Sequence, residues 1–389
     1  MRAVKAVKQG YTPSPELLEL LNEFRIMVND CIQIGLARSI TSMKALSENA
    51  YHKLEGYDAP ARYRLTAISK AAGILRNYRH ILKKCPRVKK PYASKPMLTD
   101  CYFFKIIDNM LRLPVRPGEY VHIPLNAHVL RSIEGYTVRS VCLTACTLSI
   151  TFSKEITQIE PVGLIGIDCN LDNITTASSD RVVKRYDFSR ATEVKENCRQ
   201  AMRGFRRNDH RVRKQLYSKY GRIQKNKVNW IAHNASSDIV RQAKEKRLGI
   251  TVESLKGIRR LYRKGNGQGR DHRARMNGWG YAELQRQIEY KADWEGIPVF
   301  YVHPSRTSSV CAICSCKVAE CSGRRVYCQH CEKLVDRDEN AALNILNAGL
   351  RFSLKGVAGE ARRRNPEDER KEKVIPGVDT TQLSPQSKA

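Results

Sequence analysis

The sequence predicts a multidomain α+β protein. Apolar residues recur with the helical period between residues 16 and 84, strand-like segments take over between 95 and 160, and a last block joins buried strands, basic helices and a cysteine cluster. The length of 389 residues suits two or three domains at roughly 100–200 residues each. Hydrophobic residues make up 41 %, enough for a packed core. Lys and Arg number 69 against 39 Asp and Glu, a formal net charge of +30. That excess repels itself in a free protein. Nucleic acid is its natural counter-charge, and an anionic membrane surface is the weaker candidate. No apolar run reaches the ~18 residues of a spanning helix. Residues 1–8 lack the apolar stretch of a secretory signal.

Residues 1–7 read as a short basic strand. Ser14 and Pro15 fit an N-cap and a first helical turn, and Leu17, Leu20, Leu21, Phe24, Met27, Val28, Cys31 and Ile34 then line one face of a helix expected to reach about Ser42. Helical periodicity returns over residues 59–84 and stops at the Pro- and Lys-rich run 85–91. Strands are expected at 103–107, 110–113, 120–123 and 137–152, with turns at Arg116-Pro117-Gly118 and Glu134-Gly135. They suggest a small antiparallel unit, drawn as a barrel that the first strand could complete, with the helices inserted.

Residues 163–168 form an expected buried strand ending on Asp168, with a second strand at 173–178. A long basic helical segment follows over 191–246. It carries Arg203, Arg206, Arg207, Arg211, Arg213, Lys214, Lys219, Arg222, Lys225 and Lys227. A solvated surface explains such a run in many proteins, but this density with few acidic partners favours nucleic-acid contact. Residues 248–253 read as a strand ending on Glu253. The basic, glycine-rich segment 259–277 is expected as a loop, followed by a helix over 281–295 and a strand over 299–302.

Thirteen cysteines fall into two groups. Seven are scattered and read as small buried hydrophobes, since an odd total without a signal peptide argues against a secreted disulfide framework. Six crowd into residues 311–331. Cys311-x-x-Cys314 and Cys328-x-x-Cys331 are two knuckles that can bring four thiolates to one tetrahedral Zn²⁺. Four protein ligands leave no open position, so the zinc reads as structural. Cys316 and Cys321 are alternative ligands, and a redox pair is the weaker reading because the motif is doubled.

Asp168, Glu253 and Asp338 are carboxylates on separate elements of one α/β block, with Asp336 close to Asp338. Taken singly they read as a turn residue, an exposed strand acid and an N-cap. Together they can hold hard cations such as Mg²⁺, and two such ions ~4 Å apart can activate a water and stabilise the leaving oxygen in phosphodiester hydrolysis.

Gly166-Ile167-Asp168-Cys169-Asn170, Val252-Glu253-Ser254-Leu255-Lys256-Gly257, Thr307-Ser308 before the knuckles, and Asp336-Arg337-Asp338-Glu339-Asn340-Ala341-Ala342 resemble the TnpB (OrfB) family of insertion-sequence proteins, relatives of the type V CRISPR effectors. The resemblance covers residues 162–349. It implies an RNase H-like (RuvC) nuclease domain over 161–305 and 335–358, interrupted by a zinc ribbon at 306–334 that binds target nucleic acid. It further implies a wedge β-barrel over 1–10 and 95–160 and a helical recognition region over 11–94. The polar residues 359–389 are expected to be a disordered tail.

Carried over residue by residue, Asp168, Glu253 and Asp338 would be the metal-binding catalytic acids, and Cys311, Cys314, Cys328 and Cys331 the zinc ligands. Two residues depart from the family pattern, Cys169 after the first acid and Ser254 after the second. The implied activity is RNA-guided DNA cleavage beside a short adjacent motif, with two Mg²⁺, one Zn²⁺ and a guide RNA. The partners would be that RNA and double- and single-stranded target DNA, with no membrane, one RNA per monomer, and a cytoplasmic, nucleoid-associated location in a prokaryote. A miniature CRISPR effector of the same chemistry and a non-cleaving RNA-guided or zinc-ribbon regulator remain the alternatives.

Overall fold

A computed structural model describes residues 2–101, 103–205 and 210–354. The expected tail, 359–389, lies outside the described residues. The chain divides into two compact units after Glu155.

The first unit opens with strand β1 (Arg2–Gly10) and three helices, α1 (Pro15–Ala37), α2 (Met43–Ala50) and α3 (Arg62–Leu82). Ser14 caps α1 by accepting from the Leu17 amide, with Pro15 at the first position. The helix stops at Ala37, earlier than expected, because Ser42 caps a new helix through the Ala45 amide. The apolar stripe of α1 packs on α3, with Phe24 edge-on to Tyr63.

Strands β2 (Met97–Asp100), β3 (Lys105–Ile107), β4 (Met110–Arg116) and β5 (Glu119–Pro124) follow, then helix α4 (Ala127–Ile133) and the hairpin β6 (Thr137–Thr144) and β7 (Thr147–Glu155). Their hydrogen bonding makes two antiparallel sheets, β1-β7-β6-β2 and β3-β4-β5. The strands expected as one barrel thus bond as a four-stranded and a three-stranded sheet. Buried Gln9 ties them together: its amide donates to the Pro124 carbonyl and its Oε1 accepts from the Asn126 amide. Asn126 also caps α4, a helix too short to leave a period in the sequence.

The second unit is built on strands β8 (Gly163–Cys169), β9 (Asn173–Ser178) and β10 (Val183–Asp187), helices α5 (Ser189–Arg203) and α6 (His210–Glu245), and strand β11 (Leu248–Glu253). Helices α7 (Arg270–Asn277) and α8 (Tyr281–Glu295) and strand β12 (Val299–Val302) complete its sheet region. The segment expected as a loop at 259–277 therefore ends in a short helix. Sheet order is β10-β9-β8-β11-β12, with the first three strands antiparallel and the last three parallel. A three-stranded ribbon, β13 (Ala319–Cys321), β14 (Arg325–Cys328) and β15 (Lys333–Asp336), precedes the last helix, α9 (Arg337–Leu354).

The period-two alternation of β8 decides which helix each side chain meets. Ile165, Ile167 and Cys169 pack with Ile250 and Val252 of β11 against α6 and α8. Leu164, Gly166 and Asp168 take the other face, where Leu164 meets Leu346 of α9. A Cβ at Gly166 would run into the Ala342 carbonyl and the Leu346 backbone. A hydrogen at this position therefore sets how closely α9 lies on the sheet. No described helix is long and apolar enough to cross a membrane.

Candidate active site

The alternation that seats α9 also places the acids. Asp168 follows Gly166 on the α9 face at the carboxyl end of β8. In the parallel neighbour β11, Val252 pairs with Ile167, so Glu253 stands one residue further, beside Asp168. Asp338 lies in the first turn of α9, which packs on β8. Asp336 caps that helix by accepting from the Asp338 and Glu339 amides at 2.9 and 3.2 Å. Asp168 is 8 % exposed and Asp338 2 %, while Glu253 is half-buried.

A chain of amides joins two of these carboxylates. Asn170 donates to Asp168 Oδ2 at 2.6 Å and to Asn173 Oδ1 at 3.3 Å, and Asn173 donates to Asp338 Oδ2 at 3.0 Å. The Trp279 indole donates to the Asn170 carbonyl at 2.9 Å and steadies that turn. Two arginines face the same acids. Arg324 donates to Asp338 Oδ1 at 2.6 Å, and Arg185 bonds Asp336 at 2.7 Å and lies 3.8 Å from Asp338. Arg324 sits in the β13–β14 turn, where Gly323 and Arg324 both have positive φ. The ladder closes on the pair Cys321–Arg325, so Ser322, Gly323 and Arg324 form a three-residue hairpin loop.

Burial marks Asp168 and Glu253 electrostatically, and Asp168 also feels its acidic neighbours. Asp168 is pushed up to about 7 by burial and by the charges of Glu253 and Asp338, against the Asn170 hydrogen bond and the Arg324 charge. Glu253 is raised by burial, opposed by a hydrogen bond from the Thr307 hydroxyl. Crowded, desolvated carboxylates are what a bound hard cation would relieve, and an all-oxygen donor set suits Mg²⁺. Cys169 turns to the opposite face. It is buried in the apolar core, where burial keeps its thiol protonated well above the usual range.

The four knuckle cysteines converge. Cys311 and Cys331 sulfurs are 3.9 Å apart, Cys314 and Cys328 sulfurs 3.5 Å, and all four lie within 4.8 Å of one another. Sulfurs ~2.3 Å from a tetrahedral Zn²⁺ would be ~3.8 Å apart, so the set fits that ion. The Cys311 thiol sits at about 7: burial opposes ionisation, but the backbone amides of Cys314 and Ile313 favour it. Cys316, an alternative ligand in the sequence, is exposed and groups instead with Cys314 and His330. Cys321 is exposed and bonds the Ala319 carbonyl.

The ribbon is fastened to α9 by three asparagines at helical spacing. Asn340 donates to the Val310 carbonyl and accepts from the Ala312 amide, Asn344 donates to the Thr307 and Val310 carbonyls, and Asn347 donates to the Ala312 carbonyl. The first knuckle and Asp338 thus share one rigid helix.

Of the predicted nucleic-acid contacts, Arg211, Lys214 and Arg222 are exposed on α6, while Arg213 is half-buried over the Tyr217 ring. Arg203 is ion-paired with Asp271 of α7 at 2.9 Å. Arg206 and Arg207 lie outside the described residues. Sequence reasoning did not single out Asn173, Arg185, Arg324 or Trp279 as site residues. Their signal was faint: an amide at the start of β9, arginines on two unrecognised hairpins, and an indole between α7 and α8.

The chain is similar to known proteins in sequence and in fold. The family model for the Cas12f1-like TNB domain matches residues 281–345, which include the four cysteines and Asp338. A solved Cas12f1–sgRNA–target DNA complex matches with a TM-score of 0.61 at 14 % identity, covering 85 % of this chain and 82 % of that one. The mini-RNA-guided endonuclease CRISPR-Cas_phi3 matches with a TM-score of 0.52 at 10 % identity, covering 89 % and 92 %. The architecture is therefore that of the Cas12-type effectors. TnpB-like protein MJ0751 of Methanocaldococcus jannaschii is 30 % identical over 257 residues, 62 % of this chain and 91 % of that protein. InsQ of Escherichia coli, which carries the provisional name RNA-guided DNA endonuclease, is 27 % identical over 238 residues, 56 % of this chain and 57 % of that protein. The chain belongs to the TnpB-like family.

Proposed function

We propose that this protein is an RNA-guided DNA endonuclease of the RuvC type. The observation that carries this reading is the meeting of Asp168, Glu253 and Asp338 at one end of a sheet ordered β10-β9-β8-β11-β12. That order, with α9 across the parallel strands, supports an RNase H-like assignment for the second unit. The names of the relatives support guidance by RNA and DNA as substrate.

In this reading Asp168, Glu253 and Asp338 supply the carboxylate oxygens for divalent cations. When bound, such cations supply activation of water and stabilisation of the leaving oxygen. Asn170 orients the Asp168 carboxylate, and Asn173 orients that of Asp338. Arg324 and Arg185 offset the charge at Asp338 until cations arrive. The exposed cations of α6 draw in the phosphate backbone, while base pairing to the RNA selects the sequence. Cys311, Cys314, Cys328 and Cys331 hold a structural zinc, because four protein sulfurs leave no site for substrate.

The test is to express the gene with its flanking DNA, purify at high salt and sequence the retained RNA. One discrete RNA ending in sequence from beside the gene is expected. Its matched plasmid should be cut only with Mg²⁺ or Mn²⁺ present. A smear of host RNA, or cutting that ignores the RNA sequence, would contradict guidance.

A further inference from the structure

Away from the acids, α5 and α6 enclose a groove of about 310 Å³ lined by Arg190, Val194, Asn226, Lys227, Trp230 and Ile231. Its size is at the lower end of the ~300–1,000 Å³ range of small-ligand sites. Trp230 is 62 % exposed, although the same helix buries Ala232, Ala235, Ile239, Val240 and Ala243 against the sheet. An indole left open at the mouth of an apolar groove offers a large flat π-face.

The charge around it has one sign. From His210 to Ser237, α6 carries seven Lys and Arg and no Asp or Glu. The next acid, Asp238, is already bonded by Lys184 and Tyr186. Arg190 and Lys227, both exposed, flank the indole from the two helices. A second copy of this +30 chain would meet repulsion here, whereas a polynucleotide would meet phosphate contacts on either side of a stacking platform.

We propose that this groove seats an unpaired base of the DNA strand passing to the acids, with the base stacked on Trp230 and neighbouring phosphates held by Arg190 and Lys227. A base must be unpaired and unstacked to present its face to the indole. Connectivity picks the strand. Arg190 stands three residues after Asp187, whose partner across the ladder, Asn173, donates to Asp338. The identity of the strand rests on the nuclease reading; the stacking site does not.

The test uses the full-length protein with its RNA, made non-cleaving by Asp168→Ala, and a short single-stranded oligodeoxynucleotide carrying 2-aminopurine. The parent complex should quench the 2-aminopurine. Adding Trp230→Ala should abolish the quench and weaken binding ~5- to 150-fold, while Trp230→Phe keeps most of both. Bound RNA should be unchanged. Equal affinity and quench in the Trp230→Ala complex would overturn the proposal. So would loss of RNA, which would assign the groove to the guide, or conversion of a dimer to a monomer, which would assign it to a second copy. Should Trp230→Ala fail to fold, Lys227→Glu decides: the salt slope of DNA binding should fall by ~1, and an unchanged slope refutes the site. Cleavage by the unmutated complex is scored separately. Cutting with a groove variant that binds normally refutes the groove alone, and binding with quench but no cutting refutes the nuclease alone.

Discussion

The ribbon and the acid centre are both sets of ligands, but they are assembled in opposite ways. The cysteines come from residues 311–331 and meet through two tight turns and a short ribbon. Their apolar surroundings are Val318, Val326 and Val335. The acids come from two strands and a helix separated by long stretches of chain, and the buried sheet holds them in place. A local set with so small an apolar core would depend on a bound metal for its order. A distributed set is held by the sheet itself, and the burial and neighbouring charges that push Asp168 up to about 7 are what a bound cation would relieve. Helix α9 links the two through Asn340, Asn344 and Asn347 on one side and Asp338 on the other.

The largest effect should come from removing zinc, since structural zinc in finger peptides supplies ~10–16 kcal/mol. Cys311→Ser with Cys328→Ser should leave the protein zinc-free by elemental analysis. Hydrogen exchange should then open residues 306–336 while β8 and β11 stay protected. Collapse of sheet protection as well would break the contrast.

Asp168→Asn probes the other half. A carboxyl raised from about 4 to about 7 by burial and neighbouring charge binds a proton in the folded state that the unfolded state has released. Its contribution is whole below the unfolded value and is lost as pH rises through about 7, ~4 kcal/mol at most. Metal-free Asp168→Asn should therefore melt several degrees above wild type at pH 8 and match it at pH 4. Equal melting at pH 8 would mean that the acids do not strain one another.

Gly166→Ala should force α9 off the sheet and cost ~1–3 kcal/mol, with zinc content unchanged. Unaltered stability and cleavage would show that α9 has slack. The smallest stability change belongs to Arg324→Ala, under ~1 kcal/mol because the side chain is half-exposed. Yet it should tighten Mn²⁺ binding by freeing Asp338 of its counter-ion. Weaker Mn²⁺ binding would mean that Arg324 organises the site rather than competing with the cation.

The same contrast explains what could be read in the sequence. Cysteine spacing is a local signal, and the knuckle sulfurs do lie together. The strands bearing Asp168 and Glu253 are apolar runs with an acid at the end, visible one at a time. Nothing in their spacing said that they were parallel neighbours; the sequence offered them only as carboxylates on separate elements of one α/β block that could share a cation. Asn173 reaches Asp338 across 165 residues, and Arg324 reaches it only because Gly323 and Arg324 turn a hairpin. Helices α2 and α4 are too short to show a period, and the Ser42 and Asn126 caps that start them were not read from the sequence.

The most direct test of the central claim is cleavage of a plasmid matched to the bound RNA by Asp168→Ala protein, with Mg²⁺ and protein equal to wild type. The account predicts loss of cutting by about 10³-fold or more with the RNA still bound. Cutting at the wild-type rate would remove Asp168 from the chemistry and the acid centre with it.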